Sequence, residues 1–449
     1  MKKYLRHIPQ TMKLGLPVIV SQLGHVMVGV VDSAMVGQLG PIPLAASALA
    51  NSSFFIVLAF GIGLTFGITP LVAAEDGEGK QGNLSSILKS ALAVNTLIAI
   101  GMAILVAAGS YFLHQLNQPP EVASLAAPYL RVVNISGLFF IWFQTAKQFA
   151  EGKSDTRSAM VISVLANLLN VFLNWILIFG KLGFEPMGLM GAGYATLISR
   201  IVMAIVMWLY IFNGKQYKAL LRGFAKDKIS KVWAKRVVKI GVPSGLQFFF
   251  EVGAFAFAAI MVGWISAEAL AAHQIALSCA AVTYMLASGV AAASTVRIGN
   301  QVGSKNFTAL REIGFSSILL IMFIMGLAGA MFILLQNFLP GLFIEDVAVI
   351  KIAAGLLLLA AAFQLADGVQ VVCLGMLRGM EDTKVPTYYT LISYWFVALP
   401  LAFLFAFSFN WGVEGVWLGL SLGLILVSFL LFFRFKRLSR KLLLKVTTA

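Results

Sequence analysis

Charge is what this chain has least of. Only 11% of its 449 residues are Asp, Glu, Lys or Arg, against roughly 25% in an ordinary soluble domain, while 60% are hydrophobic and mean hydropathy is +0.91. That composition excludes a water-soluble globular fold. Cysteine is nearly missing: Cys279 and Cys373 both fall inside apolar runs and form neither a metal-ligand pair nor a disulfide framework. No H-E-x-x-H metal motif and no nucleophile-with-base pattern occurs in the apolar runs, so the chain is not expected to be an enzyme. No G-x-x-x-x-G-K-S/T phosphate loop occurs either, which argues against ATP-driven pumping by this chain alone. The first apolar run lacks an A-x-A-like cleavage site and reads as a first helix, not a removed signal peptide.

What is present is a series of long apolar runs. A window of about 19 residues places spans near 14–35, 44–71, 90–112, 129–149, 159–179, 190–212, 240–264, 270–296, 314–336, 350–376, 387–408 and 413–433. Hydrocarbon satisfies no backbone polar group, and these runs are too long for barrel strands, so the expectation is an all-α integral membrane protein of twelve helices. The second and eighth runs are long enough to be broken or tilted. On alternating sides, 29 of the 33 Lys and Arg residues fall on one side. The positive-inside rule makes that side cytoplasmic, with both termini and the 213–239 loop. The net charge of +15 then follows from topology and anionic cytoplasmic lipid, and no nucleic-acid partner is expected.

The two halves repeat each other. MVGQLGPIPLAA at 35–46 and MVGWISAEALAA at 261–272 share six residues at an offset of 226, which also relates Thr69 and Gly77 to Thr295 and Gly303. Gly152, Asp155 and Thr156 match Gly379, Asp382 and Thr383 at 227. Six spans per repeat is an even number, so both halves insert in the same orientation, related by a pseudo-twofold axis along the membrane normal. The expected division is a lobe at 1–212, a basic linker at 213–239 whose amphipathic stretch lies on the inner membrane surface, and a second lobe at 240–449.

Against this apolar background three carboxylates stand out. Asp32, Glu251 and Asp367 each interrupt a run of roughly 20 residues, where a charge at the bilayer centre costs about 2.5 to 3.5 kcal/mol or more. Gln22, His25, Gly29 and Asp32 share one face of the first span. Asn170 and Asn174 are one turn apart on the fifth span, and Thr196 adds an oxygen on the sixth; with Asp32 they suit a hard cation such as Na+. In the second half Ser244, Gln247 and Glu251 form a stripe on the seventh span, while Gln364, Asp367 and Gln370 cluster on the tenth. Two such carboxylates facing each other would hold a cation or a shared proton. His25 and His273 are weaker candidates. The aromatics and 17 Met residues suggest an adaptable, cation-binding wall, with Phe250, Met261, Tyr284 and Tyr388 as candidates.

MVGQLG after Asp32, FFFEVGAFAF with Glu251, ALAAHQIAL, and ADGVQVVCLGMLRGMEDTKVP with Asp367 resemble the multidrug and toxic compound extrusion (MATE) family, most closely its NorM-like branch. The resemblance covers essentially the whole chain. It implies two six-helix lobes around a V-shaped cleft and a monomer in the bacterial inner membrane. It also implies secondary active efflux of small cationic amphiphilic compounds by alternating-access antiport with Na+ or H+. No cofactor is implied beyond that ion. By position the resemblance assigns Glu251 and Asp367 to a second-lobe cation site, and Asp32, Asn170, Asn174 and Thr196 to a first-lobe site. One departure stands: Phe363 occupies a position, four residues before Asp367, where some relatives carry Tyr, and this removes a candidate Na+ ligand. A flippase for a lipid-linked saccharide is the alternative. It calls for cationic residues at the pyrophosphate, whereas the span-centre charges are acidic apart from Arg200.

Overall fold

The computed structural model describes residues 2–111 and 119–447, so residue 112, the end of the expected third span, lies outside the described residues. Every regular element among the described residues is helical. Among these residues twelve helices are long and apolar enough to cross a membrane: Lys2–Gly37, Pro41–Gly77, Gln81–Ser110, Pro120–Gly152, Arg157–Phe179, Gly188–Asn213, Lys231–Gly263, Ala267–Gly303, Phe307–Leu334, Val347–Gly379, Lys384–Ser408 and Gly412–Leu444. Each coincides with one expected span.

Local sequence explains where these helices depart from regularity. The second span breaks after Thr65 into Ile68–Gly77, through a tight turn in which Phe66 and Gly67 donate to Gly63 and Leu64. The eighth is unbroken, its start capped by the Ser266 hydroxyl, which accepts from Ala269 N–H at 3.0 Å. The eleventh carries wider π-helical turns at Ile392–Ala398 and Leu404–Ser408, on either side of Pro400, which has no N–H to continue the ladder.

By packing, the chain divides into two compact units, Val20–Gly245 and a second formed by Met1–Ile19 with Leu246–Ala449. This differs from a cut at the 213–239 linker. The opening of the first span packs with the second unit, and the opening of the seventh packs with the first. Ile19 and Gly245 are 226 residues apart, the offset of the sequence repeat. Inside each unit the repeat shows in matching bonds: Thr69 donates to the Gln148 carbonyl at 3.1 Å, and Thr295 to the Gly375 carbonyl at 2.8 Å. Ser154 and Glu381, in the matching loops, both adopt positive φ.

The 213–239 linker is a short helix and turns before it enters the seventh span at Lys231. A short helix, Lys215–Lys218, leads into turns held to the third span by Ser85 donating to Asp227 (2.6 Å) and Lys89 donating to the Phe224 carbonyl (2.7 Å). Asp155 fastens its start, accepting from Tyr210 (2.9 Å), Gln216 (2.7 Å) and Tyr217 (2.8 Å). Tyr217 is fully buried, so Asp155→Ala strands its hydroxyl. An expected cost of about 2 to 3 kcal/mol is checked by the thermal unfolding midpoint in detergent.

Candidate functional site

Each unit holds its own acid cluster. In Val20–Gly245, Asp32 is half-buried and accepts a hydrogen bond from the amide of the fully buried Asn174. The same amide nitrogen also reaches Asn170 Oδ1 at 3.3 Å, leaving Asn174 Oδ1 buried and unpartnered. Asp32 Oδ1 and Asn170 Oδ1 therefore converge on the Asn174 amide nitrogen, and with that amide turned over the carboxylate and two amide oxygens would make a donor set that matches a small hard cation. The spacing of Asn170 and Asn174, one helical turn, is what aims both at Asp32. Thr196 is half-buried on the sixth span and makes no hydrogen bond to this group; Gln22 is likewise half-buried and outside it. His25 packs edge-on against Phe140, ring centres 6.0 Å apart, with Nε2 buried and unpartnered.

Arg200, the basic residue at a span centre, belongs to the surroundings of this cluster. Its guanidinium donates to Ser136 Oγ at 2.8 Å and lies over the rings of Phe140 (5.0 Å) and Phe54 (5.7 Å). Its charge bears on both Asp32 and Tyr129. The aromatic faces and one hydroxyl support a cation that has no carboxylate bound to it.

In the other unit Glu251, 4% exposed, accepts two amide hydrogen bonds, from Gln247 at 2.8 Å on its own helix and from Gln370 at 3.1 Å on the tenth span. Tyr394 OH donates to Gln370 Oε1 at 2.9 Å, fixing which end of that amide faces the acid. Asp367 is buried on the same span, and its charge bears on Glu251. Tyr284 sits within the field of both acids and of Arg378. Gln364 donates to Thr283 at 2.9 Å, with its carbonyl oxygen unpartnered. Ser244 is spent on its own helix, donating to the Ile240 carbonyl.

Three of the wall candidates, and His273, are engaged elsewhere. His273 is fully buried and its Nδ1 accepts from Trp417 Nε1 at 2.9 Å; Met261 is 1% exposed in the packed core; Tyr388 is 62% exposed. Phe250 is half-buried and its carbonyl accepts from Trp395. None of them bonds to the Glu251 group. Phe363 packs on Trp417 instead of presenting an oxygen, ring centres 5.8 Å apart. His273→Ala is therefore expected to lower stability by about 2 to 4 kcal/mol through the lost acceptor and packing, with dye extrusion per folded molecule within about twofold of the parent. Unfolding and transport measured on one preparation check both halves.

Sequence reasoning passed over several members. Thr283 and Tyr394 are uncharged and come from other spans, and Lys147, which a sorting of charges by side groups with the loop at 153–157, is 3% exposed on the fourth span. The signal for Lys147 was its spacing, four residues before Glu151 on the fourth span.

Among the described residues, twelve apolar helices, an internal repeat and an acid cluster in each unit define a polytopic membrane protein built from two matched halves. The profile of the MatE family matches residues 17–176 and 243–404, once in each half, and the chain belongs to that family. It is 34% identical to the probable multidrug resistance protein NorM of Mesorhizobium japonicum, over 97% of this chain and 95% of that protein. It is 30% identical to the multidrug resistance protein MdtK of Edwardsiella ictaluri, over 98% of each. In fold it is similar to a crystal structure of the Vibrio cholerae MATE transporter VcmN, with a TM-score of 0.90 and 17% identity over 98% of this chain and 99% of that one.

Proposed function

We propose that this protein is a secondary active multidrug efflux transporter that exports small cationic amphiphilic compounds by alternating-access antiport with Na+ or H+. It works as a monomer in the bacterial inner membrane, with both termini in the cytoplasm. The observation that carries this reading is the Glu251 cluster: both carboxylate oxygens are held by neutral amides, so the negative charge is positioned without being cancelled by those donors. Such a charge attracts a mobile cation, and an organic cation and a coupling ion compete for it. The relatives named for multidrug resistance point the same way. Asp32, Asn170 and Asn174 form the oxygen-rich group suited to the coupling ion in the other unit. In a one-for-one exchange of singly charged cations the membrane potential cancels, and each tenfold gradient of the coupling ion supplies about 1.4 kcal/mol, enough to hold a tenfold gradient of the exported compound.

Vesicles loaded with a fluorescent cationic dye, given a Na+ gradient or a pH gradient separately, test this. Extrusion driven by at least one gradient is expected. Dye retention under both would remove the antiport reading.

A further inference from the structure

The eleventh span widens beside the Glu251 cluster. Its π-helical turn Ile392–Ala398 closes i→i+5 bonds, one residue more per turn than an α-helix uses, so consecutive side chains lie closer around the axis. Tyr394 and Trp395 are neighbours in that turn, and each is bonded to a group that touches or adjoins Glu251. The fully buried Tyr394 packs on Phe255 of the seventh span, ring centres 5.9 Å apart, and donates to Gln370 Oε1 at 2.9 Å. Gln370 in turn donates to Glu251 Oε1 at 3.1 Å. Trp395 takes a second route: its Nε1 donates at 3.0 Å to the carbonyl of Phe250, the residue before the acid. Two glycines make room for this. A Cβ on Gly253 would stand 3.2 Å from Trp395 Cζ2, and one on Gly423 of the twelfth span 2.7 Å from the Ser393 carbonyl oxygen, inside the widened turn.

Neither aromatic side chain, nor the Gln370 amide between them and the acid, carries a charge. A guanidinium or ammonium in their place would orient the carboxylate and also cancel it. A phenol, an amide and an indole orient it and leave its charge for a mobile cation. We propose that Tyr394 and Trp395 are positioning residues of the Glu251 site, Tyr394 by fixing the Gln370 amide and Trp395 by fixing the seventh-span backbone next to the acid. Without the Tyr394 hydroxyl the Gln370 amide is free to turn over and set its oxygen against a Glu251 oxygen, which pushes the carboxylate out of line. A charge already held in line binds more tightly because little ordering is left to do at binding. The effect therefore falls on affinity and not on the rate at saturation.

This inference rests on the reading that Glu251 holds the exported cation, and its test separates the two. Equilibrium binding of ethidium to the full chain in detergent is followed by fluorescence anisotropy. Gradient-driven extrusion of the same dye is followed in phosphatidylethanolamine and phosphatidylglycerol vesicles. Tyr394→Phe keeps the ring and its packing and removes only the hydroxyl. Its dissociation constant, and that of Trp395→Phe, is expected to rise at least about fivefold, the net worth of roughly one hydrogen bond. Extrusion at saturating dye is expected to stay within about twofold of the parent, since preorganisation acts on binding. Gln370→Leu weakens binding too, and adding Tyr394→Phe to it weakens binding no further, because the two share one route; a merely structural hydroxyl would add its own loss. The added Tyr394→Phe also raises the thermal unfolding midpoint of Gln370→Leu, since it removes the hydroxyl that variant strands. Parent-like affinity in both single aromatic variants overturns the positioning roles and leaves antiport standing, as does multiplication of the Tyr394 and Gln370 effects. A parent that binds ethidium and extrudes it under neither gradient overturns antiport, and the affinities still decide the positioning roles. A parent that neither binds nor extrudes it overturns both.

Discussion

Glu251→Gln is expected to abolish dye extrusion under either gradient while the protein still inserts and folds. The local bonding explains why the fold survives. Glu251 accepts from Gln247 and Gln370. A Gln at this position offers one acceptor and one donor, so one neighbouring amide must turn over. Gln370 is held by the Tyr394 hydroxyl, but the side-chain amide of Gln247 can flip and present its oxygen. The cluster is then satisfied again, and no buried polar group is stranded. Only the charge is gone. Hydrogen bonds and contacts with charge are worth about twice their neutral counterparts, and in a desolvated site the loss is larger. A fall of at least 100-fold, about 2.8 kcal/mol, is expected in gradient-driven extrusion. Unchanged transport by a correctly inserted variant would take Glu251 out of the mechanism.

Gly63→Val is expected to have the largest effect on folding. A Cβ on Gly63 would fall 2.6 Å from the Ser244 carbonyl oxygen and 2.7 Å from Gly245 Cα, and one on Gly245 would fall 2.7 Å from the Phe60 carbonyl oxygen. These are backbone atoms of two helices pressed together, so no side chain can move aside. Small residues at such crossings let membrane helices touch along their main chains, where packing and not the hydrophobic effect drives association. Forcing them apart by a methyl or more removes contacts along the whole crossing; overpacking costs typically 1 to 3 kcal/mol and occasionally more. The folded, monodisperse yield of Gly63→Val is expected to fall several-fold, and that of Gly82→Val, a glycine whose Cβ would meet nothing within 4 Å, to match the parent. Size-exclusion profiles in detergent compare them, and a parent-like profile for Gly63→Val would show that the crossing tolerates a wider gap.

Much of the fold was legible because the bilayer imposes a simple code. Twenty apolar residues make a span, and a repeated offset of 226 makes two matched halves. The Asp32 and Asn174 pairing could be read as well, since a costly carboxylate and amides one turn apart leave few arrangements. Helical spacing says which residues share a face, but not which neighbour that face meets. Met261, a candidate for the wall, lies in the packed core, and His273 accepts from Trp417. Lys147 looked like a loop cation because charge counting assigns residues to sides and says nothing of depth. Tyr394 and Thr283 carry no charge to mark them, and only the fold brings them beside Gln370 and Gln364. The packing division at Ile19 and Gly245 lies inside uninterrupted apolar runs, where composition does not change.

That division bears on how the molecule is made. Met1–Ile19 leaves the ribosome about two hundred residues before Leu246–Ala449, the segment it packs with, begins to emerge. During that interval Arg297, whose guanidinium later grips the His7 carbonyl, Thr11 and Gln10, has not been translated. The contiguous Val20–Gly245 unit has its whole sequence in hand by then, whereas the other must keep its first nineteen residues waiting until Leu246–Ala449 is made.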